Sequence, residues 1–499
     1  MEANKVLVTG AGIAGLSAAL RLLRRGYDVE IVEKNSMAGG RMNIIEKDGF
    51  KFDTGPTFFS MSYEFDELAR DTGLRMPFEL HELDPLYTVW YDTPGKKYTV
   101  YKDMARLAAE FEKAEPGFRK KMESYLKSTG RLYHDTEKLI IKKNFDSLAG
   151  YIAAMVQVPP VHLPRLFRTF WQEVSRYFDS DDVREIVSLV SFFLGGTPFD
   201  TPAVFTMLSY TEFVHDGYYN VKGGMYRIIE GMVSMLESNG VKIHYNTEVV
   251  DYEADASGLK ALVDRDNKRW TADIYLINSD AALFRGEVLK REKFSEKRLD
   301  ALTWTMAPFS IYLGISAKLP ELKMHNYFLR GNFRDYSDKI YKNQASLEQA
   351  YYYVNVASRL NEDAAPEGKE SLYILCPVPD LRFKSDWSDA GAIAAVIIKD
   401  LSRRTGYDLE KMVISKTILS PVDWQNRFNL HRGSGLGLGH NMRQMGYFRP
   451  SNRDEEFDNL FYTGSSTVPG TGIPMAIISS SLVSKRIENK YGSVLKDLH

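Results

Sequence analysis

The stretch VLVTGAGIAGLSAAL at residues 6–20 constrains this chain more than any other. Lys5 to Thr9 reads as a buried parallel strand, and Leu16, Ala19, Leu20 and Leu23 recur at helical spacing before Gly26. Between them Gly10 permits a tight turn, Gly12 lets the backbone approach a pyrophosphate, and Gly15 lets helix pack closely on strand. The phosphates then meet the helix N-terminus at Ile13 and Ala14, where unpaired N–H groups and the dipole favour negative charge. A second strand, Val29 to Val32, ends at Glu33, 23 residues after Gly10 and just ahead of Lys34. A carboxylate at that place accepts from both ribose hydroxyls and repels a 2′-phosphate. Strand, glycine turn, helix and acid in this order predict a Rossmann-type dinucleotide site.

At 499 residues the chain is long enough for two or three structural units and for burial of a large cofactor. Hydrophobic residues at 44% and charged residues at 26% describe a folded chain, and a net charge of −2 gives no nucleic-acid footprint. Cys376 is the single cysteine, which excludes an internal disulfide and is read as core packing. The sequence holds no metal-ligand cluster, catalytic triad or nucleophilic-cysteine motif. Its amino-terminal apolar run is too short for a signal-peptide core, and no stretch approaches the ~20 apolar residues of a bilayer span.

After residue 75 the character changes to charged helical segments, an inserted helical region. The chain then returns to the opening pattern. GGMYRIIEGMVSMLESNGVKIHYNTEVVDYEA predicts a glycine turn, a helix buried through Ile228, Ile229, Met232, Val233 and Leu236, and a strand reaching the cofactor at Val249. TADIYLINSDAA adds an apolar strand ending at Asn278. FSIYLGI, AYYYVNVAS and SLYILCPVP predict a mixed sheet with aromatic faces, on which Tyr351, Tyr352 and Tyr353 pack alternately. Finally a strand from Leu460 meets Gly464 and Ser465, and a loop with Gly472, Ile473, Pro474 and Met475 opens a helix. The expected division is a discontinuous cofactor domain (1–75, 215–305, 426–499) and a substrate and membrane-facing domain (76–214, 306–425).

The segment AGGR (Gly39, Gly40, Arg41), followed by FDTGPT with its Gly55–Pro56–Thr57 turn, resembles the amino-terminal block of flavin amine oxidases and carotenoid desaturases. With GGTPFDTPA, GYYNVKGGM and NLFYTGSSTVPGTGIPMAI in order along the whole chain, it resembles the bacterial-type phytoene desaturase family. The resemblance implies an α/β fold of the flavin amine-oxidase and glutathione-reductase-like group. It also implies noncovalent FAD, a carotenoid substrate, and removal of two hydrogens from adjacent carbons, hydride to the flavin and a proton from the neighbouring carbon. A polyene offers few polar handles, so the hard step belongs to the cofactor. The resemblance leaves the terminal electron acceptor open between oxygen and a quinone.

GPTFFSM resembles the hydroxycarotenoid 3,4-desaturase branch. Some phytoene desaturases carry a charged pair just ahead of a proline in the inserted helices, where this chain has Ala153 and Val156. The alternatives are a phytoene desaturase, a flavin amine oxidase, disfavoured by the PGTGIP ending, and a non-enzymatic prenyl-binding escort protein of the same fold. Glu212, His215 and Asp216, just before GYYNVKGG, are candidate proton acceptors. Residues 146–178 mix Leu166, Phe167, Phe170 and Trp171 with Arg165, Arg168 and Arg176, which suits a membrane interface. The expected location is cytoplasmic, peripheral on the inner face of the cell membrane.

Overall fold

In the computed structural model, which describes residues 4–331, 333–340 and 347–498, five parallel strands form the cofactor end of the molecule. Their order is Leu460–Tyr462, Ile274–Ile277, Lys5–Thr9, Asp28–Val32 and Lys242–His244. Leu460–Tyr462, Ile274–Ile277 and Lys5–Thr9 are short and almost wholly buried, as parallel strands covered on both faces must be, whereas Lys242–His244 at the sheet edge is partly exposed. One face is covered by helix Ile13–Arg24, helix Arg227–Ser238 and the carboxy-terminal helix Ile473–Tyr491, with Leu16, Leu20, Ile228, Met232, Ile477 and Val483 in a single core. The Rossmann-type α/β class expected from the glycine turn is the observed one.

A second sheet has seven strands, in the order Val413–Leu419, Ala307–Ile315, Glu370–Val378, Tyr352–Val356, His325–Phe328, Tyr87–Trp90 and Lys97–Val100. All pairings are antiparallel except that between His325–Phe328 and Tyr87–Trp90. Its two faces fill different cores: Tyr351 and Tyr353 join the helical insert, whereas Tyr352 packs with Phe328 and helix Ala390–Thr405 on the other side. Residues 104–215 are the insert, mainly helical, including Phe118–Thr136, Leu148–Gln157 and Asp181–Ser188. Cys376 is fully buried and its thiol is pushed up to about 12 by burial, in keeping with a packing role. Among the described residues no helix is long and apolar enough to cross a membrane.

One correction concerns the segment with the Arg-flanked aromatics. Phe170 is completely buried beneath the helical insert and Trp171 packs against Phe199 and Phe333, whereas Phe167 is 85% exposed. Thr169 caps the helix Phe170–Val174 with a capping box, and the turn it starts carries Phe170 inward.

Helix and strand approach closely at Gly15, where a Cβ would stand 2.3 Å from the Gly10 carbonyl oxygen and 2.7 Å from Asn278 Oδ1. Both neighbours are held by the fold, so Gly15→Ala is expected to force helix from strand and to cost about 1–3 kcal/mol. Urea unfolding of the apoprotein measures it, with an unchanged midpoint refuting the close-packing argument.

Candidate functional site

A cavity of about 850 Å³ runs from the glycine turn into the space between the seven-stranded sheet and the helical insert. Gly10, Gly12, Ile13, Ala14, Glu33, Lys34, Gly39, Gly40, Arg41, Gly55, Pro56, Thr57, Val249, Gly464, Ser465, Gly472, Ile473, Pro474 and Met475 all line it. Gly15 does not, because it lies under the turn with its N–H donated to Asn278 Oδ1 at 2.8 Å.

The turn is built to receive an anion. Gly10 has φ of +99°, and helix Ile13–Arg24 starts at Gly12 with no side chain capping it. Such a helix end carries uncapped N–H groups and the positive end of the dipole. Gly39 closes the turn from above, donating its N–H to the Ala11 carbonyl at 2.9 Å. Glu33 is buried at the strand end, where Oε2 accepts from Ala11 N at 2.7 Å and Oε1 from Asn35 N at 2.9 Å. Burial pushes its carboxyl pKa up, opposed by those N–H donors. Lys34 leans over the cavity edge to the Asn426 carbonyl at 2.9 Å and toward Glu248 at 3.6 Å.

The middle of the cavity is held by residues from all parts of the chain. Arg41 donates to the Gly435 carbonyl at 3.0 Å and to Ser465 Oγ at 2.7 Å, which ties the AGGR segment to the carboxy-terminal loop. Thr57 Oγ1 and the Tyr353 hydroxyl are 2.7 Å apart, and Tyr353 is also 2.6 Å from His325 Nδ1. Helix Ile473–Tyr491 begins at Gly472 with Pro474 in its first turn and no side-chain cap, so a second uncapped helix end lines the cavity. His440 Nε2 accepts from Thr471 N at 3.3 Å; burial lowers its pKa to about 3, so the imidazole is neutral. These residues fit an FAD: an anion-binding turn, a ribose-binding acid, and a long slot that continues past two helix ends.

The three candidate proton acceptors do not line the cavity. Asp216 accepts from Ser62 N at 2.6 Å and Ser62 Oγ at 2.8 Å, which occupies it at the start of helix Tyr63–Thr72. His215 is exposed, with its ring among those of Tyr63, Tyr133, His134 and Tyr210. Glu212 is buried behind the wall beside the Tyr87 and Tyr218 hydroxyls, its pKa raised to about 8 by desolvation. Its Oε1 completes no hydrogen bond.

Residues that no motif marked complete the site. Asn278 donates its backbone N–H to Thr9 O at 2.7 Å while its side chain accepts from Gly15 N. Asp280 caps helix Ala281–Glu287 and accepts from Ser466 Oγ at 2.7 Å. Trp424, Arg427, Phe428 and Asn429 cover the cavity near Lys34. Their only sequence signal is the strand end before Asn278 and the capping pattern at Ser420–Pro421.

Replacing Glu33 by alanine removes a charged acceptor whose hydrogen bonds contribute about 1.5–3 kcal/mol each. FAD affinity is expected to fall at least tenfold in E33A and by less in E33Q, which keeps one acceptor for Ala11 N. Titration of the apoproteins with FAD reads both, and wild-type affinity in folded E33A removes Glu33 from the site.

Residues 13–487 match the family described as flavin containing amine oxidoreductase. The chain is 32% identical over 490 residues to a zeta-carotene-forming phytoene desaturase of Myxococcus xanthus, covering 97% of this chain and 94% of that one. It is 30% identical over 490 residues to a carotenoid 3,4-desaturase of Haloarcula japonica, covering 96% and 97%. A solved putrescine oxidase bound to putrescine superposes with a TM-score of 0.66 at 14% identity, covering 98% of this chain and 99% of that one, which is a likeness of fold. With a continuous cavity whose residues fit FAD, and with the family match spanning nearly the whole chain, the chain belongs to the flavin containing amine oxidoreductases and is an FAD-dependent oxidoreductase.

Proposed function

We propose that the chain desaturates a carotenoid, and that the reaction is 3,4-desaturation of a 1-hydroxycarotenoid. The observation that carries this reading is the continuity of the cavity. From the Gly55–Thr57 loop it passes on between Phe58, Phe193, Tyr327 and Tyr353, and outward past Phe205, Met207, Leu208 and Leu166. Such an arm is long, apolar and without a fixed charge for an amine, which favours a hydrocarbon over the substrates of amine oxidases.

The flavin, when bound, supplies the two-electron acceptor for hydride removal. The protein does the remaining work. Gly12 and the first turn after it hold the pyrophosphate, Glu33 the ribose, and the start of helix Ile473–Tyr491 offers N–H groups to negative charge. Aliphatic and aromatic walls align the substrate and exclude water. A polyene spreads the charge that develops as the second hydrogen leaves as a proton, which lessens the demand on a strong base and suits a cavity from which Glu212, His215 and Asp216 are absent.

A hydroxyl buried without a partner costs roughly 1–3 kcal/mol. Tyr218 and Tyr327 line the arm, Tyr218 against Phe58, and their hydroxyls are the groups that can pair with a substrate hydroxyl there, with Glu212 behind the wall. This supports a substrate with an oxygen at one end. The FAD-loaded chain is expected to red-shift the absorbance of a 1′-hydroxylated monocyclic carotene and to leave phytoene unchanged. Conversion of phytoene to lycopene would replace the 3,4-desaturase reading by that of a phytoene desaturase.

We propose a peripheral membrane location on the inner face of the cell membrane, and the outer end of the arm supports the membrane contact. Ile152, Val156 (78% exposed), Val161, Leu163 and Phe167 stand in the open around it, and Tyr151 stacks there with Tyr447 and meets Phe448 edge-on. Tyr151, Met155 and Leu163 also line the cavity, so the apolar surface and the apolar channel are continuous. A bilayer satisfies both, since it covers the surface and holds the water-insoluble substrate. Changing Ile152, Val156, Val161 and Phe167 together to serine is expected to abolish co-sedimentation with liposomes while FAD stays bound. Failure of the unmodified protein to sediment with liposomes refutes the location.

A further inference from the structure

The two ends of the substrate arm differ. At the outer end Leu163 is exposed and Tyr151, Met155 and Leu166 are half-buried. At the inner end, among the described residues, they are buried: Leu189, Leu329 and Tyr351 are each less than 5% exposed. The inner wall is also braced from behind. Tyr351 stacks on Tyr336 at 4.2 Å and on Phe333 at 5.7 Å, both from helix Phe333–Ile340, and its hydroxyl donates to the Arg330 carbonyl at 2.8 Å. Leu329 N donates to the Trp90 carbonyl at 2.8 Å. A wall pinned in this way does not yield to a chain end as a mobile loop would.

The strand register sets how far this wall lies from the Gly55–Thr57 loop. Tyr327 and Tyr353 are paired across their strands, and Tyr353 is the residue bonded to Thr57. Leu329 and Tyr351 follow two residues further along the same two chains, on the same face of the sheet, because side chains alternate. Two residues of strand span about 7 Å, roughly one to two isoprene units of a carotene. We infer that Leu189, Leu329 and Tyr351 form a stop for the end of the substrate, so that a bond within its last two isoprene units is held at the Gly55–Thr57 loop. The inference rests on the desaturase reading and deepens it, since it makes the position of the new double bond a property of wall depth. A substrate enters end first from the outer mouth, and bonds nearer its middle do not reach the loop.

The test uses the full FAD-loaded chain in liposomes with 1-hydroxylycopene and, separately, phytoene, and locates each new double bond by NMR of the product. The unmodified enzyme is expected to place its bond at the 3,4 position of 1-hydroxylycopene and to leave phytoene unchanged. Leu329→Ala and Leu189→Ala deepen the arm; 1-hydroxylycopene is already conjugated inward of its 3,4 bond, so the shift is read on phytoene, in which each variant is expected to form a new double bond at the 7,8 or 11,12 position that the unmodified enzyme does not form. Val190→Phe, which fills the arm from its side, is expected to lower 3,4-desaturation at least fivefold. Regiochemistry is read rather than rate, so a variant that is merely less stable does not mimic the result, and either alanine variant suffices if the other fails to load FAD. Desaturation of phytoene at its 11,12 bond by the unmodified enzyme overturns the stop and leaves the desaturase reading standing. Absence of any 7,8 or 11,12 phytoene product from both alanine variants does the same. Desaturation of neither carotene overturns both.

Discussion

The pairing of the first strand on both of its edges by distant segments is the constraint on which the cofactor end depends. Lys5–Thr9 is flanked by Asp28–Val32 and by Ile274–Ile277, and the latter is flanked in turn by Leu460–Tyr462. Asn278 sits where these meet. It reads the end of the first strand through Thr9, the start of the first helix through Gly15, and the last strand through Thr463, whose carbonyl its Nδ2 approaches at 3.4 Å. A helix whose N-terminus must face a phosphate needs both its direction and its depth set, and one amide side chain with two different ends does both. Gly464, at φ of +105°, leaves room for it: a Cβ there would stand 2.8 Å from Asn278 Nδ2.

The loops around the middle of the cavity have little regular structure, so their backbone groups must find partners elsewhere. A buried arginine supplies many of them. Arg449 donates to the carbonyls of Leu438, Gly439, Gln444, Ser465 and Thr467, and burial lowers its pKa to about 10 without discharging it. His440 adds the acceptor for Thr471 N. Arg41 donates to the Gly435 carbonyl and to Ser465 Oγ and so ties these two segments together. These contacts hold residues 435–475 as one rigid wall, and the wall faces the seven-stranded sheet across the cavity. The chemistry proposed for the site needs this kind of wall: a hydrocarbon gives the protein no polar group to grip, so position has to come from shape.

The outer mouth is shaped by the opposite condition. Ser147 caps helix Leu148–Gln157, and Pro159 and Pro160 end it, leaving a short apolar helix with only Ala154 fully buried. Apolar side chains that the core does not take up remain on the surface around the opening. Elsewhere in the same insert large apolar side chains such as Phe118, Tyr125 and Phe170 are buried, so the exposure is concentrated at the mouth and is not a sign of a poorly packed domain.

What was legible in the residues alone was whatever depends on short spacing. Gly10, Gly12 and Gly15 announce a turn between strand and helix, Glu33 announces the end of the next strand, and Gly472 with Pro474 announces a helix start, because each is a statement about backbone geometry within a few residues. The alternation of Tyr351, Tyr352 and Tyr353 was legible for the same reason. Side-chain direction over longer distances was not. Glu212, His215 and Asp216 are neighbours in the chain, yet the single wide helical turn over Thr211–His215 sends the first into the wall, leaves the second in the open, and brings the third to Ser62. Phe167 and Phe170 look alike in composition, and only the cap at Thr169 separates surface from core. That one face of the aromatic sheet is the floor of a cavity, and that the cavity is closed by Leu329 and Tyr351, was decided by packing between segments hundreds of residues apart, which no local pattern encodes.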